Sequence, residues 1–151
     1  MSKKAPVHVP DNSTDLIEKF VNYIMLDGKK TTARRIFKES MEIIQKRGYN
    51  KPQETFEKAV QNLFPTLEVK GKRIGGSVYQ IPVEVRPKRQ LTLALRWLLS
   101  STREKKGSPL SKRLADEIIE AYEGTGNAMK KKQDIFKMAQ ANKAFAHFAR
   151  Y

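Results

Sequence analysis

The chain has 151 residues, no cysteine, and a formal net charge of +14 from 30 Lys and Arg against 16 Asp and Glu. The missing thiols exclude disulfides, cysteine-ligated zinc and thiol nucleophiles, and weakly suit a reducing compartment. No apolar run approaches the roughly 20 residues that cross a bilayer as a helix, so no membrane role is expected. Such a charge on so short a chain favours a polyanion as partner.

The opening stretch, residues 1–13, carries lysines but no apolar segment. It reads as a short, flexible basic arm, neither a signal peptide nor an Arg-rich transit sequence. Asp11 to Thr14 then offer capping residues before an apolar stripe of Leu16, Ile17, Phe20, Val21 and Ile24. Asp27-Gly28 ends this first helix. Thr31 or Thr32 is expected to start the second, whose stripe is Ile36, Phe37, Ser40, Met41 and Ile44, and Gly48 stops it. Pro52 opens a third with Phe56, Ala59, Val60, Leu63 and Phe64 at helical spacing. Pro65 breaks it.

Leu67 to Arg89 changes period. Leu67, Val69 and Gly71 alternate with Glu68, Lys70 and Lys72. Tyr79, Ile81, Val83 and Val85 alternate with Gln80, Pro82, Glu84 and Arg86. A period of two is that of strands. Gly75-Gly76 between the arms supplies the positive φ angles of a tight hairpin turn. Pro82 lacks a ladder donor and fits a strand with a free edge. After Pro87 comes a fourth helix around Leu91, Leu95 and Leu98, with Trp97 beside them. Pro109 suits the first turn of a fifth, striped by Leu110, Leu114, Ala115, Ile118, Ile119 and Tyr122. A sixth is expected from about Asn127 towards His147. The fold class is therefore mainly α: a single domain, residues 1–151, of about six helices with a projecting two-stranded β-ribbon between the third and fourth.

The candidate site residues are cations placed to neutralise phosphate. Lys70, Lys72, Arg73, Arg86, Lys88 and Arg89 line or flank the ribbon, and Gly75 and Gly76 let its tip approach a backbone closely. Lys29, Lys30, Arg34 and Arg35 surround the start of the second helix, where exposed N–H donors favour an anion. Arg96 neighbours Trp97, which is expected in the core rather than under a base. Arg103, Lys112 and Arg113 bracket the turn between helices four and five. Lys130 and Lys131 sit early in the sixth helix, where cations oppose the helix dipole. His8 and His147 are the only histidines. They form no metal site by spacing, and His147 is expected to cap or to contact RNA. Tyr79 is expected to pack. No cofactor motif, metal constellation or nucleophile–base pair occurs, so no enzyme activity and no cofactor are expected.

GGSVYQIPVEVRP in the ribbon, LDGKK at Leu26 to Lys30, Arg96-Trp97, and MAQANKAFAHF from Met138 to Phe148 resemble, in order and register, the bacterial-type small-subunit ribosomal protein S-seven family. Glu104 falls in a run that is usually more basic, and Phe136 stands where a histidine is usual. The resemblance implies a structural constituent of the small ribosomal subunit in the cytoplasm. It implies primary binding of the ribosomal RNA 3′ major domain, which forms the head, with exit-site tRNA and the messenger path close by. The ribbon would reach that tRNA. Neighbouring proteins of head and platform would be further partners, one of them near the C-terminal helix. Lys143 and His147, within the last block, join the candidate RNA contacts on that ground. Without the resemblance, an architectural DNA-binding protein with a basic β-arm is the alternative.

Overall fold

The computed structural model describes residues 9, 10 and 13–150. The arm expected at residues 1–13 lies almost wholly outside them. Helix α1 (Asp15–Ile24) starts where Thr14 Oγ1 accepts the Ile17 N–H at 3.3 Å, and Asp15 and Glu18 complement the positive end of its dipole. Helix α2 (Lys30–Lys46) begins before the two threonines expected to start it. The cause is the preceding turn: Asp27 and Gly28 take φ of 53° and 73°, and the Lys29 N–H reaches Leu26 O at 3.0 Å. That tight reversal feeds the chain directly into the helix, with no side-chain cap.

Helix α3 (Pro52–Asn62) carries proline in its first turn. The stripes of these three helices meet in a ring cluster. Phe56 lies 5.2 Å from both Phe20 and Phe37, and Phe20 and Phe37 are 6.1 Å apart. Edge and tilted contacts of this kind add to the burial of large apolar surfaces. Helices α4 (Pro87–Glu104), α5 (Leu110–Tyr122) and α6 (Gly126–Ala141) complete the body. Helix α5 packs against α2, α3, α4 and α6. Leu114, Ala115, Ile118 and Ala121 are accordingly buried.

The ribbon is as expected between α3 and α4. Strands β1 (Leu67–Ile74) and β2 (Ser77–Glu84) pair antiparallel, and Gly75 and Gly76 make the turn with φ of 56° and 86°. Val85 N–H donates to Thr66 O at 3.2 Å. Alternation from that bonded pair puts Pro82, opposite Val69, at a non-hydrogen-bonded rung, so its missing donor costs the ladder nothing.

Past Ala141 the sixth helix does not run on to His147. It gives way to a 3-10 helix, Lys143–Arg150. Asn142 ends α6 by donating both its backbone N–H (3.1 Å) and its Nδ2 (2.9 Å) to Met138 O. The tighter winding aligns Phe145 and Phe148, three apart, on one side facing the ribbon.

A buried carboxylate joins α5 to α6. Glu117, fully buried, accepts the Ala128 N–H at 2.9 Å through Oε1, which caps the start of α6. Its Oε2 lies 3.0 Å from Lys105 Nζ, and that ammonium also reaches Glu120. Burial works against the Lys105 charge, but hydrogen bonds to Glu117 and Glu120 outweigh it and raise its pKa.

Phe56→Ala should cost about 3–5 kcal/mol in urea unfolding, because it empties the centre of the ring cluster. Glu117→Ala should cost about 1.5–3 kcal/mol, since the half-buried Lys105 ammonium loses one of its two carboxylates and the Ala128 N–H loses its acceptor. The raised pKa of Lys105 sets the pH dependence. Its contribution is fully present below the unfolded value of about 10.4 and is lost as pH rises through the higher folded value. Above the unfolded value the alkaline loss of stability should therefore be shallower in Glu117→Ala, where Lys105 keeps only Glu120, than in the parent.

Candidate nucleic-acid interface

The register sorts the ribbon's side chains. Residues directly opposite share a face, and the pairs include Lys70 with Ile81, Lys72 with Tyr79, and Val69 with Pro82. The apolar positions of the two arms therefore lie on opposite faces, not on one. Ile81 and Pro82, adjacent in β2, are both buried. The ribbon root is thus covered on both sides.

This placement corrects the expectation for Lys72. It faces Tyr79 rather than solvent, and its Nζ donates to Phe148 O at 2.9 Å. Tyr79 packs as expected, 5.1 Å from Phe145 and 6.4 Å from Phe148. Lys70 and Arg73 are exposed, as are Gly75 and Gly76, and a Cβ at either glycine would meet nothing within 4 Å. Val78, opposite Arg73, is 66% exposed and gives the tip an apolar patch. At the root, Arg86 and Lys88 are exposed, while Arg89 lies 3.4 Å from Glu68.

At the start of α2 the four basic residues have different surroundings. Glu18 is 3% exposed and accepts from Arg34 Nη2 at 2.7 Å and from Ser13 Oγ at 2.9 Å, with Lys30 Nζ at 3.7 Å. Arg35 makes a loose, exposed i,i+4 pair with Glu39 at 3.7 Å, which water and salt screen. Lys29 is exposed without a partner among the described residues.

The α4–α5 region divides in the same way. Arg96 is exposed and forms no ion pair among the described residues. Trp97 is only half-buried, on the α4 stripe of Leu93, Ser100 and Glu104 that meets α6. Arg103 donates to Ile24 O at 3.2 Å and so caps the end of α1. Arg113 donates to Lys105 O across the turn, with its Nε buried. Lys112 is exposed.

On α6, Lys131 is held by Glu104 at 2.6 Å and Ser100 Oγ at 2.9 Å. Lys130 and, seven residues on, Lys137 are exposed on one face. Sequence reasoning passed over Lys137, although its i+7 spacing from Lys130 was the available signal. Lys132 donates to Asn62 O at 2.7 Å, and burial lowers its pKa. Lys143 and His147 are exposed, with His147 Nδ1 3.1 Å from Ala144 O in its own 3-10 helix.

The described residues thus present two kinds of cation. Lys30, Arg34, Lys72, Arg103, Arg113 and Lys131 bond to the protein itself. Lys29, Lys70, Arg73, Arg86, Lys88, Arg96, Lys112, Lys130 and Lys143 are exposed and without a side-chain partner. Among the described residues, no three His, Cys, Asp or Glu come together as metal ligands. None of the helices among the described residues is long and apolar enough to cross a membrane.

Comparison with known proteins bears on the same chain. The family model described as ribosomal protein S7p/S5e matches residues 1–143. A small ribosomal subunit protein uS7 of Natranaerobius thermophilus is 48% identical over 154 aligned positions, covering 98% of this chain and 99% of the relative. Those of Pseudothermotoga lettingae and Sulfurimonas denitrificans are 52% and 48% identical, covering 91% and 97% of this chain and 89% and 97% of their own. Nothing in these matches supports the DNA-binding alternative. With a family match over most of its length and relatives near half identity, this chain belongs to the ribosomal protein S7p/S5e family.

Proposed function

We propose that this structural constituent of the small ribosomal subunit is a primary binder of the ribosomal RNA 3′ major domain. It organises the head there, beside the messenger path, and its ribbon reaches towards exit-site tRNA. It does so as one domain in the cytoplasmic ribosome, by charge and shape rather than by catalysis. The observation that supports this most is the set of exposed cations left without an internal partner, from Lys29 through the ribbon to Lys143. In a chain of net charge +14, such residues carry counterion-releasing contacts to phosphate. Selectivity follows from fitting helices and junctions in three dimensions, because duplex RNA hides its base edges in a deep, narrow groove. Gly75 and Gly76 give the ribbon a tip slim enough to approach a nucleic-acid backbone. Lys30, Arg34, Arg103, Arg113 and Lys131 support that surface by fixing helix ends and turns, and reach phosphate only at its margins.

Binding to a transcript of the 3′ major domain, measured at low and high salt with duplex DNA and unrelated folded RNA as competitors, tests this directly. Tight, competitor-resistant binding is expected, and equal affinity for all three polyanions would overturn it. Arg96→Ala with Lys130→Ala should weaken transcript binding and flatten the log–log salt slope by about one to two. Lys70→Ala with Arg73→Ala should leave transcript affinity and melting temperature close to the parent, yet reduce exit-site tRNA occupancy in reconstituted subunits. Unchanged occupancy would remove the ribbon from the tRNA contact.

A further inference from the structure

A two-stranded ribbon is at best marginally stable in water when nothing packs on it. This one is anchored at its root by buried Ile81 and Val85, by Gln90 Nε2 donating to Pro65 O at 2.8 Å, and by the Arg89–Glu68 pair. Its outer part is different. From Lys70 to Gln80 only Lys72, Ile74 and Tyr79 are even half-buried.

Two of those three, Lys72 and Tyr79, form a single cross-strand rung, and that rung meets the C-terminal 3-10 helix. Tyr79 lies against Phe145 and Phe148, whose own rings stack 6.3 Å apart. The Lys72 ammonium closes the contact on Phe148 O, near the negative end of the 3-10 helix. Beside this contact runs an open cleft of about 600 Å³, lined by Leu67, Pro82 and Val83 of the ribbon, Ala139 of α6, and Lys143 and Ala146 of the 3-10 helix. Strand β2 packs closely on the 3-10 helix, and at the outer ribbon that contact is carried by the Lys72–Tyr79 rung.

We infer that the C-terminal 3-10 helix is a brace that sets the pose of the ribbon, and that Lys72, Tyr79, Phe145 and Phe148 are positioning residues rather than nucleic-acid contacts. The ribbon tip is held where its partner meets it, so the cost of ordering it is met on folding and not on binding. This rests on the proposed role of the ribbon for its consequence in the ribosome, but the brace itself is a property of the free protein.

Phe145→Ala with Phe148→Ala in the full chain tests it. Amide relaxation at Gly75 and Gly76 should move from rigid order parameters near about 0.85 to values below about 0.6. The melting temperature should stay near the parent, because the rung lies outside the helical core. Lys72→Met should loosen the tip more mildly, and Lys72→Arg, which keeps a donor, should restore it. In reconstituted subunits the double variant should lose about ten-fold in exit-site tRNA occupancy, with transcript affinity within about two-fold. Tip order parameters unchanged in both the double variant and Lys72→Met would overturn the brace. Parent subunits that hold no exit-site tRNA would instead overturn the partner assigned to the ribbon, while the relaxation of the tip still decides the brace.

Discussion

Glu117 is the side chain on which the rest of the architecture hangs. A carboxylate with no exposure is tolerated because both of its oxygens have charged or N–H partners. Through Lys105 it fixes the turn that leads from α4 into α5. Through the Ala128 N–H it fixes where α6 starts and in which direction it leaves. Helix α6 in turn carries the 3-10 helix, and that helix meets the outer ribbon. The pose of the ribbon therefore descends in part from a buried carboxylate at the joint of α4, α5 and α6.

Scarce carboxylates also shape the surface. With 16 acids against 30 bases, at least 14 positive charges have no internal counter-charge. Glu18 gathers Arg34 and Lys30, Glu104 takes Lys131, and Glu117 with Glu120 holds Lys105. Backbone carbonyls at helix ends take others, as Ile24 O takes Arg103 and Asn62 O takes Lys132. What is left outward is a field of unpartnered Lys and Arg. Repulsion among them weighs on the free fold, and phosphate relieves it on binding. Glu104, an acid in a run expected to be basic, fits this picture as the internal partner of an α6 lysine.

Much of the fold was legible in the sequence because helical stripes and strand alternation are local signals. Phe20, Phe37 and Phe56 each fell on a stripe, and all three meet in the core. The Gly75-Gly76 turn and Pro82 were readable for the same reason, since backbone geometry limits which residues fit there. The C-terminal end was not. MAQANKAFAHF has a spacing compatible with an α-helix, and nothing local shows that Asn142 stops it. The tighter winding is favoured by a contact with Tyr79, more than sixty residues away.

The sequence by itself determined the class of fold, the basic character, the ribbon and the family, because composition, periodicity and ordered motif blocks need no partner in space. Only the tertiary structure decided which cations are free. Spacing along the chain cannot say whether a lysine meets a carboxylate from another helix, as Lys131 meets Glu104. Nor can it say which face of a strand a lysine shares with an aromatic ring. Strand register turns on the pairing of both arms, and a one-residue difference reverses every side chain. Position along the ribbon matters as well: Lys72 and Lys70 share one face of one strand, yet only Lys72, opposite Tyr79, reaches Phe148 O in the 3-10 helix, and Lys70 stays in solvent.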